Sequence, residues 1–260
     1  MTLETTEWRK WMCTGHLLAR GVPEELIDYH CGHNGNDFDT SKEVCLAAIE
    51  DGFPRFRVAL EKDGYRDLNQ NIAAQFWSYL IMCREAVERN ETIMWIHDDI
   101  GISAHVRWTD IQNMVSEIDT FDFILLTYYR KEKFDNLVQK REDIRTYGPI
   151  TVTKGIFGRC DFSLIISPEG AKWILDHAQP MRAPTSNAPN WYYSFEGWIQ
   201  SMAFDPEKQP PNPFSCEPIV TLYSEFDLVQ SNIHDIETLR KTGVWTQLKP
   251  TLNTIERLSD

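Results

Sequence analysis

The stretch LNQNIAAQFWSYLIMCREAVERNETIMWIHDDIGIS, residues 68–103, constrains the fold more than any other. Ile72, Gln75, Phe76, Tyr79, Leu80, Cys83, Ala86 and Val87 recur at the spacing of one helix face. Asn90 tolerates the left-handed conformation that ends a helix. The apolar run TIMWIH then reads as a buried strand, and it ends at two adjacent carboxylates, Asp98 and Asp99.

The same alternation runs through the chain. Helices are predicted at residues 7–20, at SKEVCLAAIEDG, from about Trp108 to Ile118, at PEGAKWILDHA and at SFEGWIQSMAF. Pro168 suits the first turn of the fourth of these. Strands are predicted at ELIDYHC, TIMWIH, FDFILLTYY, DFSLIIS and IVTLY. Residues 53–65 and 130–150 read as irregular, and DPEKQPPNPFSCEP as Pro-rich connecting chain. Strands alternating with helices predict an α/β fold with a mainly parallel sheet. The 260 residues are expected to form one domain.

Composition narrows the function classes. There are 26 Lys and Arg against 39 Asp and Glu, a net charge of −13. That opposes broad phosphate-backbone binding, though not a local basic groove. The six cysteines form no CxxC pair, so free structural thiols are expected. No apolar run approaches a membrane span, and MTLETTEWRKWM has no signal-peptide character. A cytoplasmic protein is the expectation. No P-loop, HExxH, GxSxG or GxGxxG pattern occurs.

Two readings of Asp98–Asp99 stand. One is a solvated turn in which Asp caps the following helix. The other is a ligand site, because open α/β sheets bind ligands beyond the carboxyl ends of strands. Adjacent carboxylates repel, and Mn²⁺ or Mg²⁺ relieves that repulsion with a preference for hard oxygen donors.

QFWSYLIMCREAVERNETIMWIHDDIGIS resembles the central segment of the family 25 glycosyltransferases, the lipopolysaccharide galactosyltransferase type, in which an apolar strand leads to an acidic triplet. EWRKWMCTGHLLARGVPEELIDYHCGHNG is similar to that family's opening, GRCDFSLIISPEGAKWIL to its Ser-x-x-Gly-Ala element, and EPIVTLYSEFDLVQSNI to its closing segment. The likeness spans roughly residues 7–235 and rests on order and spacing. It departs from the family at His97, which stands where an acid is usual, in the missing first strand, and over residues 38–70.

The resemblance implies a GT-A fold with a Rossmann-like, mostly parallel sheet. It implies a donor half at about 1–130 and an acceptor half at about 131–235, while the tail at about 236–260 reads as helical from its own residues. The donor would be a nucleotide-diphosphate sugar, UDP-linked first, and the acceptor a glycan hydroxyl. Asp99 would bind the metal, with the late His234 as a further ligand. Asp98 would hold the donor sugar or ribose, or share the metal, and it stands with Glu196 as a candidate catalytic carboxylate. His97 would be a donor contact or a packed strand-end residue.

Other residues extend the expected site. Glu196 is either the general base for the acceptor hydroxyl or a first-turn acid favoured by the helix dipole. Trp191, Tyr192, Tyr193 and Trp198 offer faces on which sugars stack. Arg9 or Arg20, flanking the first helix, could meet a diphosphate, with solvated helix charge the stronger reading for Arg20. Lys154 and Arg159 bracket GIFG as a phosphate or acceptor contact, or as ordinary loop charges, with Lys154 taken as a donor contact. His30, Cys31 and His33 lack a partner cluster at zinc spacing. Three alternatives remain beside the transferase. One is a viral enzyme glycosylating hydroxymethylated DNA bases, which needs a basic groove. Another is an inactive GT-A-like binding module. The last, a metal-dependent nuclease or phosphatase, lacks a second acidic cluster.

Overall fold

Helix ends follow local chemistry closely. In the computed structural model, which describes residues 7–61, 69–98, 100–103, 105–126, 145–156, 163–180, 194–217 and 220–223, seven α-helices are seen. They are α1 (Glu7–Ala19), α2 (Ser41–Glu50), α3 (Arg57–Glu61), α4 (Gln70–Arg89), α5 (Trp108–Glu117), α6 (Pro168–His177) and α7 (Phe195–Phe204). Thr40, Asn69, Ser167 and Ser194 each accept a backbone N–H in the first turn of the helix they open. Asn90 closes α4 at φ 53°, as the sequence predicts.

The strands are β1 (Ile93–Ile96), β2 (Ile100–Ile102), β3 (Phe123–Leu125), β4 (Arg145–Tyr147), β5 (Ile150–Lys154), β6 (Ser163–Ile166), β7 (Pro213–Glu217) and β8 (Thr221–Tyr223). Six form one sheet in the order β1-β6-β3-β7-β5-β4. β2 and β8 form a separate antiparallel pair.

The mainly parallel sheet expected from the sequence does not form. Only β3 and β7 pair in parallel, and the other four pairings of the large sheet are antiparallel. The physical reason lies in the connections. A parallel pair needs a long crossover, whereas antiparallel neighbours accept a two-residue turn. Tyr147 and Ile150 face each other across such a turn, with Gly148 at φ 55°. Residues 145–150, read as irregular, thus belong to a hairpin. The Pro-rich connection likewise contains β7, with Pro213 at the strand's first residue, where its missing N–H costs least. ELIDYHC forms a 3₁₀ turn at Glu24–Leu26 and extended chain instead of a regular strand.

Side chains alternate across the sheet and define two cores. Trp95, Phe123, Leu125, Leu164 and Ile166 pack toward α2, α4, α6 and α7. Met94, Ile124, Leu126, Ile165 and Val152 pack on the other face, toward α1 and α5. The molecule is therefore a mixed α/β sandwich with helices on both faces. Gly170 lets α6 sit close, because a Cβ there would lie 1.8 Å from the Asp122 carbonyl oxygen. Among the described residues, no helix is long and apolar enough to cross a membrane.

Candidate functional site

β1, expected to be buried, is an edge strand with only Trp95 fully buried, and it ends in a tight turn. Ile100 N–H donates to the His97 carbonyl at 3.1 Å, so Asp98 stands at a central position of a four-residue turn. Beyond it the chain leaves the six-stranded sheet and enters the β2–β8 pair. The turn is thus a switch point between two sheets. Asp98 is half-buried there. Asp99 lies outside the described residues.

His97 points inward. It is 7% exposed, and its Nε2 shares a buried hydrogen bond with the Tyr79 hydroxyl. The two rings stack with centroids 5.6 Å apart and planes 15° apart. Burial pushes the imidazole pKa down to about 3, so His97 is neutral at physiological pH. It is packed at the strand end.

α1 clamps the turn from the other side. Cys13 Sγ lies 4.0 Å from the His97 carbonyl and 3.8 Å from that of Ile100. His16 Nε2 lies 2.9 Å from the Ile102 carbonyl. Gly101 permits this approach, since a Cβ there would sit 2.6 Å from His16 Nε2. Sequence reasoning singled out neither Cys13, His16 nor Tyr79. The i, i+3 spacing of Cys13 and His16 on α1, facing a glycine after an acidic turn, is the signal that marks them.

α7 begins against the same aromatic layer. Ser194 Oγ accepts the Gly197 N–H at 2.9 Å and fixes the helix start. Phe195 packs on Tyr79 at 4.8 Å and on Trp95 at 5.8 Å between ring centroids. The path His97–Tyr79–Phe195 therefore joins the acidic turn to the first turn of α7. Glu196 is only 3% exposed, unlike a solvated first-turn acid.

The remaining expected residues scatter. Trp198 is 4% exposed and packs between Phe195 and Trp173, so its ring belongs to the core. Lys154 ends β5, near the far edge of the sheet and at the end opposite His97. The structure does not bring it to Asp98. Arg9 lies on α1, with its side chain outside the description. Trp191, Tyr192, Tyr193, Arg159, His234 and the tail at 236–260 lie outside the described residues.

Asp98 supplies the hard oxygen that Mn²⁺ and Mg²⁺ favour. Among the described residues no three His, Cys, Asp or Glu side chains converge on one point. Two of the expected ligands, Asp99 and His234, are not among them. His33 stacks on Trp77 at 3.7 Å, and His30 lies 3.6 Å from Glu85, so both serve the packing of residues 27–33 on α4.

No protein-family model matches the chain, and no curated protein matches it.

Proposed function

We propose that this chain is a metal-dependent glycosyltransferase. It would move a sugar from a nucleotide-diphosphate donor, UDP-linked first, to a glycan hydroxyl. One observation carries the reading: a carboxylate turn at a strand end and a buried helix carboxylate flank one aromatic layer, Tyr79 and Phe195. The resemblance of QFWSYLIMCREAVERNETIMWIHDDIGIS to the family 25 enzymes supports it.

Asp98 and Asp99 would hold Mn²⁺ or Mg²⁺, which when bound would neutralise the leaving diphosphate. Tyr79, through His97, keeps the turn in one geometry and so holds the Asp98 carboxylate in place. Burial of Glu196 limits competing water around a base that must take the acceptor's proton. The net charge of −13 disfavours the DNA-modifying alternative, whose acceptor is a polyanion.

The test is calorimetric titration with UDP-, GDP-, CMP- and ADP-sugars, with Mn²⁺ and with chelator. Asp98→Ala and Asp99→Ala are titrated beside the parent. Metal-dependent binding of one donor, lost in both variants, is the expected result. Absence of binding across the panel refutes the reading. Donor binding without turnover on any hydroxyl acceptor would instead identify an inactive binding module.

A further inference from the structure

A second polar site lies at the far end of the sheet. A cavity of about 170 Å³ opens where β3 and β7 begin and β5 ends. His97 sits at the opposite end, because β1, β3 and β7 run in the same direction. The register places Arg145, Tyr147, Val152, Lys154 and Phe214 on one sheet face. The Ile118–Thr120 segment, just past α5, forms the facing wall. Val152 and Phe214 supply an apolar floor.

Three features mark the cavity as a binding site. First, Arg145 and Lys154 both line it, one strand apart. Among the described residues neither is in an ion pair, although the chain carries a net charge of −13. Arg145 spends one of its N–H donors on the Glu117 carbonyl at 3.4 Å, and a guanidinium has five. Second, Tyr147 is 6% exposed, and its buried hydroxyl has no hydrogen-bond partner among the described residues. A buried hydroxyl left unsatisfied is costly, and it is expected to meet a partner. Third, Asn212 and Thr120 add polar groups to the same lining. Asp119 is the one carboxylate there, so the lining carries a net positive charge.

We propose that this cavity binds a phosphate group, either free phosphate or the head of a small phosphomonoester. A planar guanidinium engages a tetrahedral oxyanion through paired N–H donors, and a lysine adds a mobile point charge. Tyr147 donates its hydroxyl proton to a third oxygen. A cavity of about 150 Å³ is enough for one benzene ring, so five phosphate heavy atoms fit here. The site is independent of the acidic turn and of the transferase reading.

The experiment is titration of the full chain with inorganic phosphate and, separately, glycerol 3-phosphate, in chloride at constant ionic strength. Arg145→Gln with Lys154→Gln is expected to weaken both by more than about tenfold, since each charged hydrogen bond contributes severalfold or more. Tyr147→Phe is expected to weaken both about fivefold. Lys172→Gln, an exposed lysine on α6 across the sheet, leaves affinity unchanged. Tighter binding of glycerol 3-phosphate assigns an ester ligand, and equal binding assigns the phosphate alone. Far-UV circular dichroism confirms that each variant is folded. No saturable binding by the parent, or equal affinity in the parent and the double variant, overturns the proposal.

Discussion

The Tyr79 hydroxyl and His97 Nε2 meet in a buried hydrogen bond that ties the longest helix to the end of β1. The imidazole lies nearly parallel to the phenol ring, and Trp95 stacks on Tyr79 at 5.3 Å. One polar contact inside an aromatic stack thereby sets where the acidic turn begins.

That contact makes stability depend on pH in a defined window. His97 titrates near 6.5 when unfolded and near 3 when folded. Between those values the unfolded state binds the extra proton, so stability falls as pH falls. The loss starts near pH 6.5, runs at up to about 1.4 kcal/mol per pH unit, and levels off below about 3. Denaturant titrations at pH 7.5, 6 and 5 measure it. His97→Phe should reduce the slope, leaving the share of His30 and His33, whose pKa values burial also lowers, and an unchanged slope would place the titrating group elsewhere.

Tyr79→Phe removes the hydroxyl and with it the buried hydrogen bond to His97 Nε2. A cost of about 1–3 kcal/mol is expected. Chemical denaturation reads it directly. Loss below a few tenths of a kcal/mol would mean that the imidazole repartners.

Gly101→Ala places a methyl 2.6 Å from His16 Nε2. The His16 contact to the Ile102 carbonyl should break, loosening α1 from the turn. Overpacking of this kind costs about 1–3 kcal/mol. Hydrogen exchange should rise in α1 and β2 while α4 and α6 stay protected. Uniform exchange across all four would refute a local effect.

Gly170→Ala meets the Asp122 carbonyl at 1.8 Å, and backbone cannot yield as a side chain does. This substitution should cost more than Gly101→Ala, upward of about 3 kcal/mol. Ranking the two melting temperatures tests the order.

If Glu196 takes the acceptor's proton, Glu196→Gln lowers kcat by about 10²–10⁴-fold with the donor Kd unchanged. Steady-state kinetics beside a donor titration separates the two effects. A variant with parental kcat assigns the carboxylate a packing role only.

Helices were legible because their signals are local. A capping Ser, Thr or Asn and a 3.6-residue period lie within one segment, and α2, α4, α6 and α7 follow them closely, while α5 follows its period and the Asp110 bond to the Arg107 N–H. Strand positions were mostly legible for β1, β3, β6 and β8. Their partners were not, since pairing depends on contacts far apart in sequence, such as Ile93 with Ile166. The β4–β5 hairpin was readable in principle from Gly148–Pro149 between two strand-like runs. In the site, the acidic turn showed itself as a break in apolar pattern. Its supports, Tyr79, Cys13 and His16, did not, because a core tyrosine and a helix-face histidine look alike whether they hold a turn or fill space.

The sheet switch at residues 97–100 also sets a schedule for synthesis. β2 finds its hydrogen-bond partner only when Thr221–Tyr223 has been made. β1 gains its neighbour earlier, once Ser163–Ile166 has emerged. During translation the carboxylate turn is therefore anchored on one side and open on the other until late. A chain that lacks residues 221–223 would leave Ile100–Ile102, just beyond the acidic turn, without its strand partner.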